Sequence, residues 1–264
     1  MDTSFKQEFL INAMSGASKS QIVRLYKEEM KCTDEDIKEL LSSPQFNKKP
    51  NFINYFKFDN LKIPITAKRV NFPFTKIYTQ KNFLSKENCE ILITEMEKSL
   101  EPAYVANPGD RRIISEQRTS STTSFNYRQT GVGTDLDLEI ARYMGFNPFC
   151  TEWCQGQKYK PGEFYKGHHD FFHPLTEEYK TYTEWMGQRT WTFMLYLNDI
   201  EEGGETYFKY LNLKIKPERG KAVFWNNLYP FGWPNIKTMH EALPPISGDK
   251  YIITKWFRSW PLIS

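Results

Sequence analysis

His168 and Asp170 stand two residues apart in the stretch YKPGEFYKGHHDFF (159–172), which carries or adjoins three of the chain's four histidines, His168, His169 and His173. On an extended strand, residues i and i+2 point to the same face. One imidazole and one carboxylate then project side by side, with His169 turned away and His173 beyond the expected strand end. That is two thirds of a facial metal site. A 2-His-1-carboxylate set with open positions suits non-haem Fe(II). The one remaining histidine, His240 in TMHEAL, is the candidate third ligand.

A second constraint follows His240. If the chain turns in a hairpin around Pro245, His240 comes to lie across from Lys250. Along KYIITKWFR, Lys250, Trp256 and Arg258 share parity and face one side. A lysine buried near a metal is costly unless it meets an anion. A dicarboxylate chelating the metal through one end would present its other carboxylate to that lysine, which is the chemistry of 2-oxoglutarate. A lone histidine or strand lysine is more often structural or solvated. The conjunction of HxD, a distant histidine and a lysine on the following strand is far more specific than its parts.

These side chains need strands to carry them. From residue 150 onward the chain reads as strands between turns: WCQGQKY, the HxD stretch, RTWTFMLYLND, GETYFKYL, LNLKIKP, KAVFWNN, TMHEAL and KYIITKWFRSW. In RTWTFMLYL both alternating sets are largely apolar, so this strand is expected to be buried on both faces. Upstream, KIYTQ reads as a strand, and Ser85 caps the helix KENCEILITEMEKSL. Residues 101–133 read as a long polar lid-like loop, except for a short extended piece near Thr119 to Tyr127, and Thr134 with Asp137 opens the helix DLDLEIARYMGF. Residues 1–70 read as a separate helical extension and strap, with capping boxes at Ser18/Gln21 and Thr33/Asp36. The expected class is α+β, mainly β: a double-stranded β-helix, or jelly roll, over residues 71–264 with packed supporting helices.

The chain has 264 residues, a net charge of +3 and 16% aromatic residues. The charge is too mild to argue for nucleic acid or membrane partners, and the rings promise a substantial core. Cys32, Cys89, Cys150 and Cys154 form neither a disulfide framework nor a complete zinc set. With no secretory signal and no apolar run long enough to span a bilayer, a soluble, cytoplasmic protein is expected.

Three blocks in order resemble the catalytic domain of the prolyl 4-hydroxylases, which are Fe(II)/2-oxoglutarate dioxygenases. They are Tyr159, Gly162, Tyr165, His168 and Asp170; Arg189 with RTWTFMLYLND and EEGGETYF; and His240 with Gly248-Asp249-Lys250 and Thr254-Lys255-Trp256. The resemblance covers about Lys76 to Pro261. It implies that His168, Asp170 and His240 bind iron, and that Lys250, helped by the Tyr159 hydroxyl, binds the far carboxylate of 2-oxoglutarate. It implies that Tyr165, Arg189 and Trp256 line the peptide side, and that Arg118 and Ser120 in QRTSSTTSF belong to a closing substrate loop. Thr122 and Ser124 depart from the family pattern, as does the long aromatic segment EEYKTYTEWMGQR. The implied activity is hydroxylation of a proline in a peptide or protein, with O2 consumed, succinate and CO2 released, and ascorbate as reductant. The alternatives are hydroxylation of a free amino acid or small natural product and, from another class, a non-catalytic binding module on the same scaffold.

Overall fold

A computed structural model describes residues 33–35, 63–105, 113–114, 116–125, 131–146, 151–183, 187–230 and 232–259. The helices expected over 18–30 and most of 36–41, and the strap that follows, lie outside them. The chain divides into two compact units, Met1–Asp59 with Tyr229–Trp233, and Asn60–Leu228 with Pro234–Ser264. In the first, Asp34 and Glu35 are helical, and Tyr229 N donates to Trp233 O. All that follows concerns the second.

That unit is built on antiparallel sheets. The strands are β1 (Lys68–Asn71), β2 (Lys76–Gln80), β3 (Glu101–Pro102), β4 (Tyr104–Val105), β5 (Ile113–Ile114), β6 (Ser121–Ser124) and β7 (Gln155–Tyr159). They continue as β8 (Tyr165–His168), β9 (Arg189–Tyr196), β10 (Thr206–Phe208), β11 (Leu213–Ile215), β12 (Ala222–Asn226), β13 (His240–Ala242) and β14 (Lys250–Arg258). The helices are α1 (Lys86–Glu97), α2 (Gly131–Met144) and α3 (Glu177–Thr183). Eight strands form the larger sheet in the order β1-β2-β12-β9-β14-β7-β6-β3, four form the smaller in the order β11-β10-β13-β8, and β4 pairs with β5. This is the mainly-β jelly roll expected from the sequence. The boundary expected at residue 70 falls inside β1, which already pairs with β2.

β9 lies centrally, between β12 and β14, and every residue from Thr190 to Tyr196 is buried. Its two faces do different work. Thr192 and Met194 share a face with their partners Trp225, Val223, Trp256 and Thr254, turned towards the smaller sheet. Phe193 faces the other way, in ring contact with Phe224 and with Tyr143 of α2. The outward side of β7 is kept open for α1: a Cβ at Gly156 would meet Met96 at 2.9 Å. Ser85 caps α1 by accepting from Asn88 N, and Cys89, Leu92 and Met96 form its buried stripe.

Two expectations are corrected. α2 begins at Gly131, not at Thr134, and Asp137 does not cap it. Asp137 is buried and pairs with Lys255 on the outward face of β14. A buried ammonium demands that partner more strongly than a helix terminus does. The hairpin placing His240 opposite Lys250 does not form either. β13 pairs with β10 and β8, whereas β14 pairs with β9 and β7. The chain changes sheets between them, around the contact of Pro245 with Gly203. Gly203 has φ +77°, and a Cβ there would meet the Pro244 carbonyl at 2.5 Å, so only glycine fits that crossing.

Candidate active site

Between the inward faces of the two sheets lies a cavity of about 260 Å³. The larger sheet contributes Gln155, Gln157, Tyr159, Thr254 and Trp256, and the smaller contributes Tyr165, His168 and His240.

His168 and His240 are direct partners across β8 and β13. Asp170 lies in the bend just after β8. Its Oδ1 is 3.8 Å from His168 Nε2 and its Oδ2 is 3.9 Å from His240 Nε2. The ligand atoms of all three residues lie within 4.8 Å of one another. Each Nδ1 faces a backbone carbonyl, His168 that of Lys166 and His240 that of Thr238, both at 2.9 Å. The Nδ1 atoms therefore carry the protons, and the Nε2 lone pairs point to the common centre. The donor set fits a divalent metal with open positions, Fe(II) above all. Burial, and then the neighbouring His240, drive the His168 pKa down to about 3, so the imidazole is neutral at physiological pH. Burial works against a charged Asp170, but His240, His168, Arg189 and the Thr192 hydroxyl hold its carboxyl below the usual range.

His169 and His173 stand apart from this centre, as strand parity indicates. His169 Nε2 bonds Ile236 O at 3.0 Å. His173 is buried, and its ring Nδ1 accepts from Leu175 N.

Tyr165 and His168 are three residues apart, so a regular strand would turn them to opposite faces. Between His240 and Ala242 the register slips, and three steps on β8 oppose two on β13. This bulge brings the Tyr165 ring onto His168, with centroids 3.6 Å apart. A second slip, between Phe257 and Arg258, pairs Arg258 with Arg189. Arg189 then lines the cavity with its guanidinium 3.9 Å from the Trp256 ring centroid.

Glu152, which no sequence pattern singled out, holds this end of the site together. It accepts from Arg189 Nε at 2.6 Å and Nη2 at 2.7 Å, and from Arg258 Nη1 at 2.8 Å. Burial alone would raise its pKa, but Arg189 and then Arg258 overcome that and keep it ionised. Its only signal in the sequence was an acid among aromatic and cysteine neighbours, Thr151-Glu152-Trp153-Cys154.

Arg118 and Ser120 are both buried. Arg118 lines the cavity, donates from Nε to Ser120 Oγ at 3.0 Å and from Nη2 to Gln155 Oε1 at 3.2 Å, and lies over Tyr165. Ser120 is thus a support for Arg118 and is not part of the cavity wall. Lys250 is fully buried just behind that wall. Its ammonium is 4.6 Å from the Tyr159 ring centroid and donates to Gly204 O at 2.9 Å. The lysine meets the face of Tyr159, not its hydroxyl, which donates to Gln157 Oε1 at 2.8 Å. Burial lowers the Lys250 pKa to about 7, the state of a cation lacking a full counter-charge.

Comparison with known proteins points to one family. Residues 154–258 match the 2OG-Fe(II) oxygenase superfamily. Prolyl 4-hydroxylase 13 of Arabidopsis thaliana is 30% identical over 207 residues, spanning 69% of this chain and 71% of that protein. The prolyl 4-hydroxylase subunit alpha-3 of Homo sapiens is also 30% identical, over 71% of this chain but 34% of its own length. The viral collagen prolyl hydroxylase of Paramecium bursaria Chlorella virus-1, solved with 2OG, superposes with a TM-score of 0.54 at 28% identity. That match covers 69% of this chain and 95% of the viral one.

Proposed function

This chain belongs to the prolyl 4-hydroxylase family of Fe(II)- and 2-oxoglutarate-dependent dioxygenases, and we propose that it hydroxylates a proline residue in a peptide or protein. The observation that carries the reading is the convergence of His168, Asp170 and His240 on one point beside a cavity. Bound together, Fe(II), 2-oxoglutarate and O2 supply the oxidising power to place a hydroxyl on an unactivated C–H bond, with succinate and CO2 as coproducts.

The residues divide that task. His168, Asp170 and His240 would hold the metal, as three donors from one face. Lys250 offers its ammonium to the distal carboxylate of 2-oxoglutarate, and the Tyr159 ring and Ile252 form the wall around the chain of that acid. Tyr165, Arg189 and Trp256 form the opposite, substrate-facing end, where flat rings suit a pyrrolidine and Glu152 fixes the guanidinium of Arg189. Enclosure between two sheets limits water at the reacting carbon. Ascorbate is proposed as the reductant that keeps the metal ferrous. A cytoplasmic site of action is proposed too, in keeping with the free, buried thiols of Cys89 and Cys154.

A second reading, hydroxylation of a free amino acid, draws on Arg118. Its guanidinium lines the cavity and bonds Ser120 and Gln155, both neutral, so it could receive a substrate carboxylate. Succinate release with a proline-rich peptide against free amino acids, plus mass spectrometry for one added oxygen atom, separates the two. Turnover of free amino acids with no turnover of any proline peptide would replace the first reading by the second.

A further inference from the structure

Asp170 is fixed differently from the two histidines. Those sit on paired strands, whereas Asp170 follows the end of β8. Its Oδ2 accepts the Thr192 hydroxyl at 2.6 Å, and Thr192 Oγ1 accepts from Asn227 Nδ2 at 2.8 Å. Thr192 and Asn227 are both 0% exposed. They lie on β9 and just past the end of β12, neighbours in the larger sheet. Asn227 is anchored through its own backbone, which donates to Thr190 O and accepts from Asn235 N.

The direction of this relay is set by proton count. A threonine hydroxyl has one proton, and an amide nitrogen only donates. With Asn227 Nδ2 occupying a lone pair of Thr192 Oγ1, the threonine proton is committed to Asp170. A bond to an ionised acceptor is of the stronger kind. The carboxylate beside the smaller sheet is thereby tethered to the larger one, with one oxygen engaged.

We propose that Thr192 and Asn227 are positioning residues for the metal, holding Asp170 so that it binds through a single oxygen. The position that a second carboxylate oxygen would take then stays open. The inference rests on the reading that the triad binds Fe(II). Interactions of this kind are worth about 10- to 100-fold in metal affinity.

Titration of the full chain with Co(II), followed by its visible absorption, reads affinity and coordination number without any turnover. Thr192→Val keeps the side-chain shape and removes the hydroxyl. It is expected to weaken Co(II) binding by about 10- to 100-fold and to shift the spectrum towards higher coordination number. Thr192→Ser is expected to restore both. Asn227→Ala should give a smaller loss in the same direction, and Thr192→Val combined with Asn227→Ala should bind no more weakly than Thr192→Val alone, because the two act in series. Parental affinity and spectrum in folded Thr192→Val overturn the proposal, as do additive losses in the double variant. Should Thr192→Val fail to fold by circular dichroism, Thr192→Ser and Asn227→Ala decide. Ser near the parent with Ala weakened supports the relay, and Ala indistinguishable from the parent overturns it. A parent that binds no Co(II) defeats the metal reading itself, which is a different outcome from a parent and a Thr192→Val variant that bind equally well.

Discussion

Lys250 and Tyr159 are direct partners across β14 and β7, and the lysine ammonium lies 4.6 Å from the centre of the tyrosine ring. The ring thus supplies a polarisable face to a buried cation that also donates to the Gly204 carbonyl. Removing the ammonium should cripple cosubstrate binding and leave the metal site intact. Lys250→Ala is expected to raise the KM for 2-oxoglutarate by about 100-fold or more, with parental Fe(II) affinity. Steady-state kinetics at saturating iron, beside a metal titration, checks both halves.

The same cation implies a pH dependence. Burial sets its pKa near 7 in the free protein, below its ordinary value, so it loses its proton as pH rises through that point. An anionic ligand binds the protonated form. The affinity for 2-oxoglutarate should therefore fall as pH rises above about 7, approaching tenfold per pH unit at the limit, and level off below. For folding the sign is opposite. The unfolded chain holds this proton up to a higher pH, so this group's contribution favours the folded state above its unfolded pKa and is lost as pH falls towards 7. Calorimetric 2-oxoglutarate titrations from pH 6 to 9 test the binding arm, and a flat profile would refute it.

Glu152 pairs with two guanidiniums at once. Glu152→Ala leaves Arg189 and Arg258 side by side without the carboxylate that bridges them, and should destabilise the fold by about 3 kcal/mol. Glu152→Gln keeps the shape and should lose less. Both should reduce kcat/KM for the peptide more than they alter the KM for 2-oxoglutarate. Denaturant melts and kinetics with each reactant varied in turn provide the check.

Lys255 and Asp137 form a buried ion pair that joins β14 to α2, with Cys154 Sγ donating to the same carboxylate. Breaking one partner, as in Lys255→Met, should cost about 3–5 kcal/mol, whereas pairing it with Asp137→Leu should recover most of the loss. Urea unfolding of the two single variants and the double measures this directly.

Chelation should abolish turnover, and Fe(II) should restore it. Because the metal binds only the folded chain, its removal should also lower Tm, by an amount that grows with the metal concentration used in the reference sample. His240→Ala should show the chelated Tm whether or not Fe(II) is present.

Much of this site can be read from side-chain types. The two-residue spacing of His168 and Asp170, one remote histidine and the lysine at the head of KYIITKWFR picked out, without any knowledge of pairing, three side chains that converge and a lysine that is buried. The β9 pattern also held, because a strand apolar on both faces has few places to go. What could not be read depends on register. Two β-bulges, one between Tyr165 and His168 and one between Arg189 and Thr192, turn residues three apart onto a common face. Period-two reasoning has no means to expect that. The hairpin around Pro245 failed for a related reason: local turn chemistry is the same whether a chain folds back on itself or crosses to another sheet. Glu152, Thr192 and Asn227 act through contacts between strands distant in sequence, and nothing in their spacing advertises it.

His168 and His240 sit opposite one another on β8 and β13. Two imidazoles carried on one rung of a sheet behave as a preformed chelator, with bite set by backbone hydrogen bonds and not by loops. Were a metal bound there, most of the entropy of assembling its site would already be spent when the sheet forms.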